Sequence, residues 1–334
     1  MKNIVIIGGG FAGSHAAKKL EKIKEFNITL IDQKEYFEFT PSILKVITHS
    51  NYLNKIQAKH TQYLKNSNFI LGKVNKISKN HVYLKNPLEK IPYDYLVIAT
   101  GSSYVLPFKH HETLQINRGK DIQNHHKKLA STKKITIIGG GIVGIELAGE
   151  IADHYNEKEI ELIQSNSSLI PRNCKTSQEY AKKTLEKKGV KITLNKKFKN
   201  PKSEMKTKHS IFVCIGITPN FNFEFVPKNK SLETNTQLQL KPFRNVFIIG
   251  DVSNIKEEKT AQNAIRQANT AITNIKRLEK EKPLKDYITK KTPQIISLGK
   301  NKGIFEYKKF TVKGKIPIII KNFIEKKEMR NLIN

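Results

Sequence analysis

The chain has 334 residues, of which 60 are Lys or Arg and 29 are Asp or Glu, for a formal net charge of +31. At about 150 residues per domain this suggests roughly two domains, and 38% hydrophobic residues can fill their cores, which excludes a wholly disordered chain. Two cysteines, Cys174 and Cys214, exclude a disulfide framework, a four-cysteine zinc site and a four-thiolate iron–sulfur cluster, and fit a reducing compartment.

No apolar stretch approaches the ~20 residues that span a bilayer, and the first residues run straight into a strand rather than a cleavable leader. Lysine is spread along the chain together with Asn and Ile, as a composition bias would produce.

The first element, Ile4-Val-Ile-Ile, reads as a buried strand. It enters Gly8-Gly-Gly10-Phe11-Ala12-Gly13 and then an alanine-rich helical pattern from Ser14 to Leu20. In Gly-x-Gly-x-x-Gly the first glycine permits a tight turn, the second lets backbone amides approach a pyrophosphate, and the third allows close helix–strand packing. A second strand, 28–31, ends in Asp32, close to the ~20-residue offset at which a carboxylate takes a ribose hydroxyl. One glycine motif alone is weak, but strand, turn, helix, strand and terminal Asp together predict a bound dinucleotide.

Further along, Tyr93 to Gly101 reads as a buried strand running into a small turn, Ala99-Thr100-Gly101. The opening device then recurs as Ile135-Thr-Ile-Ile-Gly139-Gly-Gly141-Ile142-Val143-Gly144, with a helix from Ile145 to Ile151. Here the following strand, 160–163, ends in Gln164 and carries no carboxylate; Arg172 lies several residues on, so NADH and NADPH stay equally open. Asn245 to Asp251 reads as one more strand, ending in Gly250-Asp251.

Four ordered segments therefore resemble the two-dinucleotide-binding-domain flavoproteins, the pyridine nucleotide-disulfide oxidoreductase superfamily, over nearly the whole chain. That resemblance implies an α/β fold with two Rossmann-like domains. The FAD domain would comprise residues 1–103 and 231–289, the NAD(P)H domain 104–230, and a small α+β C-terminal extension 290–334. It implies that Gly8, Gly10, Phe11, Ala12 and Gly13, with Asp32 and Gln33, hold the ADP half of FAD. Ala99, Thr100 and Gly101 would form the crossover, and Asp251 after Gly250 would contact the ribityl chain. Thr260, Ala261 and Gln262 would open the helix that points its positive end at the flavin. NAD(P)H would lie on Gly139, Gly141, Ile142, Val143 and Gly144, with Gln164 and Gly216 beside it.

The segment Tyr36 to Lys45, which includes Pro41, lacks the cysteine pair of the disulfide reductases. It is similar to the aromatic-and-proline segment of type II NADH dehydrogenases and of the apoptosis-inducing-factor 2, ferroptosis-suppressor type of quinone reductase. The resemblance thus implies hydride transfer from NAD(P)H to FAD and onward transfer to a quinone. Glu146 would stand near the nicotinamide and flavin edge, or else be a first-turn helix acid. Lys45 near flavin N5 and Lys259 on the acceptor side compete with a reading as solvated lysines. Cys214 reads as a small apolar filler, and Cys174 as a loop thiol among basic neighbours. The histidines, His15 and the pair His125-His126 among them, stand in no metal-ligand pattern and read as surface or capping residues; no metal is expected.

From 290 the dinucleotide pattern stops. Residues 295–315 read as a short β-meander, and 316–333 as a helix with one apolar face and a lysine-rich opposite face. That apolar face would pack on the chain's own domain, pair with a second subunit in a homodimer, or lie in a membrane interface within reach of a quinone pool. The expected location is cytoplasmic, with peripheral contact at the cytoplasmic face of a membrane as its extension. A soluble reductase of an electron-carrier protein is the alternative enzyme. A nucleic-acid-binding flavoprotein is disfavoured, because no nucleic-acid module or aromatic–basic interleaving is present.

Overall fold

The structure is a computed structural model that describes residues 1–85, 87–104, 113–114, 119–198, 209–221, 223–225 and 233–334. Strand β1 (Lys2–Ile7) is buried from Ile4 onward, as a central parallel strand must be. It turns through three glycines into α1 (Phe11–Leu20), whose small inward residues Ala12, Ala16 and Ala17 allow close packing on the sheet. β2 (Phe26–Asp32) pairs with β1 in parallel, Ile4 opposite Ile28. Before the sheet continues, the chain forms a 3-10 segment, Thr40–Ile47, and the one-turn helix α2 (His60–Tyr63). β3 (Ser67–Leu71) then extends the sheet beyond β2, and β4 (Tyr95–Ile98) pairs with the other side of β1.

A second parallel sheet follows, built from β5 (Thr113–Leu114), β6 (Lys134–Ile138), β7 (Glu159–Ile163), β8 (Lys191–Thr193) and β9 (His209–Val213) in the order β5-β9-β6-β7-β8. α3 (Ile142–His154) follows β6, and α4 (Lys175–Lys187) follows β7. The chain then returns to the first sheet. β10 (Val246–Ile248) pairs with β4 to complete the order β10-β4-β1-β2-β3, and α5 (Ala261–Leu278) packs against α1. The second sheet is thus contributed by chain lying between two strands of the first. The boundary expected at 230 and 231 lies outside the described residues.

The two passages between the sheets run side by side. Ser102–Tyr104 pairs antiparallel with Ile217–Pro219. Just before it, Thr100 Oγ1 donates to the Asn220 carbonyl at 2.5 Å and Asn220 Nδ2 donates to the Thr100 carbonyl at 3.1 Å.

The C-terminal part is an antiparallel meander, β11 (Gln294–Ser297), β12 (Gly303–Tyr307) and β13 (Phe310–Gly314), leaning on α3 and α4. Helix α6 (Lys315–Ile333) closes it, and of the three placements open for its apolar residues the first, packing on the chain's own domain, does not hold for Ile316, Ile319 and Phe323. Pro317, Lys321, Glu325 and Met329, spaced by four, face inward, whereas Ile316, Ile319 and Phe323 are 58%, 65% and 64% exposed. Two buried ionic contacts set this rotation. Lys321 Nζ lies 2.6 Å from Glu146 Oε1 of α3, and Glu325 Oε2 lies 3.2 Å from Lys45 Nζ in the 3-10 segment. Turning the apolar face inward would strand Glu146 without its cation, at a cost of several kcal/mol.

Substituting Lys321→Ala should therefore destabilise the protein by roughly 3–5 kcal/mol, the range for removing one member of a buried pair. Thermal unfolding of Lys321→Ala against the single Lys326→Ala, an exposed lysine of the same helix, checks this.

Candidate active site

The two glycine turns have the same geometry. Gly8 (φ +102°) and Gly139 (φ +105°) both adopt a backbone conformation that side chains avoid. A Cβ on Gly8 would lie 2.4 Å from the Ala99 carbonyl oxygen, and one on Gly139 would lie 2.4 Å from that of Cys214. Ala99 and Cys214 thus hold equivalent places under the two turns. Cys214 is the small filler its sequence context suggests, and burial pushes its thiol up to about 12. Gly10 and Gly141, by contrast, face open space: no atom lies within 4 Å of a Cβ built on either.

These two open glycines are the N-caps of α1 and α3. Neither helix has a side-chain cap or an acid in its first turn. Four backbone amides at each helix start are left to find an acceptor, in a cradle free of competing carboxylates, which suits a pyrophosphate. Phe11, Ala12 and Gly13, and their counterparts Ile142, Val143 and Gly144, form those first turns. α5 differs, because Thr260 caps it by accepting from the Asn263 amide at 3.3 Å, with Ala261 and Gln262 just inside.

Asp32 ends β2 beside the first turn. Its Oδ2 accepts from the Gly9 amide at 2.5 Å and its Oδ1 from the Lys34 amide at 3.0 Å. Burial pushes its pKa upward, but His60, the Lys34 charge and the two amides outweigh this, so the carboxyl titrates below its ordinary value. Gln33 next to it is exposed. At the second turn Gln164 stands in the same relation. Its Oε1 accepts from the Gly140 amide at 3.2 Å, which makes it a neutral version of the same brace.

Around the first turn the structure gathers most of the residues expected to bind FAD. Gly250 lies against Ala12 and Ala264, its amide donating to Gln267 Oε1 at 2.8 Å. Asp251 Oδ2 accepts from Ser102 Oγ at 2.8 Å, which ties it to the crossover Ala99-Thr100-Gly101. The Phe11 ring meets Phe37 and Phe39 edge-on at 5.1 and 5.5 Å, which brings the segment containing exposed Pro41 to the start of α1. Gly216, at φ +125°, sits in open space past β9.

The three residues expected to act on the reaction are all engaged by protein groups. Glu146 lies outside the first turn of α3, so the helix-dipole reading does not apply; it accepts from Lys321 Nζ, from the Ser297 amide at 2.8 Å and from Ser297 Oγ at 3.1 Å. Lys45 donates to Tyr52, Asn322 and Glu325. Lys259 donates to the carbonyls of Ser253 and Ile255, and burial lowers its pKa against the raising influence of Asp251 and Glu257. None of the three is a free solvated lysine or acid.

Two sequence readings need correction. Cys174 does not rest among cations: its thiol lies 3.2 Å from Glu306 Oε2, and the neighbouring Arg172 is paired outward with Glu258. His60 is no surface residue; it is fully buried behind Asp32. Sequence reasoning passed over His60, Tyr63, Lys321 and Glu325. For the last two a signal existed, a Lys and a Glu four apart, hence on one helix face with Pro317 and Met329. Among the described residues no group of His, Cys, Asp and Glu could hold a metal.

With two uncapped glycine-turn helices and paired ribose-side braces in place, residues 2–271 match the model of the pyridine nucleotide-disulphide oxidoreductases. The chain belongs to that family. It is 30% identical to ferroptosis suppressor protein 1 of Mus musculus, over 93% of this chain and 90% of the mouse protein. It is also 30% identical to apoptosis-inducing factor homolog A of Dictyostelium discoideum, over 89% and 82%. Among solved structures, the sulfide:quinone oxidoreductase of Aquifex aeolicus superposes with a TM-score of 0.86 at 21% identity, covering 100% of this chain and 92% of that one. NDH2 of Plasmodium falciparum in complex with NADH follows at 0.82 and 15%, covering 94% and 91%. As a member of the family the chain is a flavoprotein that uses FAD and NAD(P)H.

The duplicated turn generates a test. Gly144→Ala would place a Cβ 1.9 Å from the Gly139 carbonyl oxygen. The variant should keep its bound FAD spectrum yet lose NADH binding by at least about tenfold in a titration, since steric exclusion costs more than 1.4 kcal/mol. Acid should loosen α6. Burial raises the pKa of Glu325, but Ser42, Tyr52 and Lys45 outweigh it and bring it below its ordinary 4.5. A depressed pKa means the stabilisation is complete above 4.5 and is lost as pH falls through the lower folded value. Amide protection factors across 315–333, taken relative to the intrinsic exchange rate at each pH, should accordingly fall on acidification below pH 4.5 and stay level above it.

Proposed function

We propose that this protein is an FAD-dependent oxidoreductase that takes hydride from NAD(P)H at the second glycine turn and passes two electrons to a quinone, without a redox disulfide. The net reaction is NAD(P)H plus a proton plus quinone giving NAD(P)+ and quinol. Bound FAD supplies the carrier chemistry between the two substrates.

The observation that carries this reading is the contrast between the two sides of one fold. Both dinucleotide cradles are complete, yet neither cysteine stands where a dithiol would work. Cys214 fills the space beneath Gly139 and Cys174 lies on Glu306. A chain built to exchange electrons with disulfides needs a thiol pair, whereas quinone reduction needs none. The structural likeness to a sulfide:quinone oxidoreductase and to NDH2 supports that acceptor class.

The chain's own groups have distinct duties. The amides of α1 and α3 bind the two pyrophosphates, and Asp32 takes the adenosine ribose of FAD. Asp251, braced by Ser102, stands beside the crossover and would hold the ribityl chain of bound FAD. The amide end of α5 stabilises negative charge on the cofactor. Glu146, held by Lys321 and Ser297, fixes the C-terminal meander and α6 over α3 and so keeps water from that side. Tyr52 and Lys45 donate into one hydrogen-bonded cluster around the Glu325 carboxylate, which holds α6 against the 3-10 segment.

The outward face of α6 supports a peripheral membrane location for quinone access. Ile316, Ile319 and Phe323 are exposed, with the exposed cations Lys315, Lys326 and Lys327 on the same helix to meet anionic headgroups. Among the described residues no helix is long and apolar enough to cross a membrane.

An anaerobic absorbance titration tests the reaction. NADH or NADPH should bleach the flavin band, and a water-soluble quinone should restore it; a flavin that NAD(P)H reduces but quinone does not reoxidise would rule out the acceptor. For the membrane contact, Phe323→Glu should reduce co-sedimentation with anionic vesicles several-fold while leaving water-soluble quinone turnover unchanged. Equal sedimentation of both proteins would remove α6 as the contact.

A further inference from the structure

Behind the first glycine turn lies a closed ring of polar groups that the second turn lacks. The His60 imidazole is fully buried and rests on the Cα of Gly9, where a Cβ would come within 2.3 Å of its Cε1. Its Nδ1 is 2.5 Å from the Tyr63 hydroxyl, which is 2.7 Å from Ser14 Oγ. Ser14 Oγ donates to the Gly9 carbonyl at 2.8 Å, and the Gly9 amide donates to Asp32 Oδ2 at 2.5 Å. His60 Nε2 faces that same carboxylate oxygen at 3.7 Å and has no hydrogen-bond partner.

Counting protons around the ring fixes which nitrogen of His60 donates to Tyr63. A carbonyl only accepts, so the single Ser14 hydroxyl proton goes to Gly9. Tyr63 must then donate to Ser14, which leaves its oxygen to accept from His60 Nδ1–H. With Nδ1 protonated, Nε2 either aims a bare lone pair at the Asp32 carboxylate or carries a second proton. A second proton on Nε2 would turn the lone-pair repulsion across the 3.7 Å to Asp32 Oδ2 into an attraction.

We propose that His60 is a positioning residue for FAD. As a buried imidazolium it pins and keeps ionised the Asp32 carboxylate that takes the adenosine ribose. This rests on the assignment of FAD to the first turn. The second turn shows the contrast: there Leu169 Cδ2 lies 2.6 Å from a Cβ built on Gly140, and the neutral Gln164 takes the place of Asp32. A charged clamp is thus present where the cofactor is to be retained, and absent where the nicotinamide substrate must come and go.

The clamp is enclosed by groups from each element packed against it. Asp32 faces His60 from β2, with Lys34 and Glu35 just beyond, and Glu21 of α1 acts on Tyr63. Lys59, next in sequence, pairs with Glu35. α6, which also packs on α2, contributes the carbonyls of Asn331 and Leu332 that hold Lys18. Ser14 and the Phe69 ring complete the wall.

The test uses the holoenzyme. Histidine ring 15N spectra at pH 7 of wild type and His60→Gln should assign to His60 a doubly protonated ring. FAD release is followed by the fluorescence of freed flavin. His60→Gln should release FAD faster by roughly tenfold or more at pH 7, as expected for losing a charged hydrogen-bonding partner. Tyr63→Phe, which leaves Nδ1–H without its acceptor, should release it faster to a smaller degree. A neutral His60 ring at pH 7 in wild type overturns the proposal even if no variant folds, and so does release from His60→Gln at the wild-type rate. Protein that retains no FAD at all would instead remove the assignment on which the clamp rests.

Discussion

Glu146 and Lys321 lie 2.6 Å apart in the interior, one on the helix that opens the second dinucleotide cradle and the other on the last helix of the chain. A buried carboxylate cannot be left without a cation, so this contact fixes how α6 is rotated, and the rotation fixes much else. With Lys321 inward, Glu325 one turn later is also inward and meets Lys45, Tyr52 and Ser42. The same rotation forces Ile316, Ile319 and Phe323 outward. The exposed apolar surface is therefore a geometric consequence of satisfying two buried charges, rather than a failure of the helix to find a core.

The internal duplication shows which parts of a dinucleotide cradle are common and which are specialised. Both copies keep the positive-φ glycine over a small residue, Ala99 or Cys214, and both use the side chain at the end of the next strand to accept from the middle glycine's amide. They diverge in charge. The first uses Asp32 with His60 behind it, the second Gln164 with Leu169. Packing demands are met alike in both, while the electrostatic demands of a held cofactor and an exchanged substrate differ.

The parallel strands, the glycine turns and the helix after each could be read from the sequence, because β-branched runs and glycine spacing are local signals with one physical solution. Asp32 was legible for the same reason. His60 was not, since its meaning comes from a contact with a strand end 28 residues earlier in the chain, which no local pattern reports. The helical period of the tail was legible too, but its inward face was not. Periodicity marks which residues share a side of a helix, and here the partner charges on α3 and the 3-10 segment, far away in sequence, decide which side turns in.

The paired passages between the two sheets carry a mechanical consequence. Ser102–Tyr104 and Ile217–Pro219 form a two-stranded ribbon, closed at one end by the reciprocal Thr100–Asn220 hydrogen bonds. A two-stranded ribbon resists shear along its strands, since sliding would break its ladder, but bends readily across its face. Sliding of one sheet past the other is thereby opposed at the passage itself, in addition to the contacts of α6 with α3 and with the 3-10 segment.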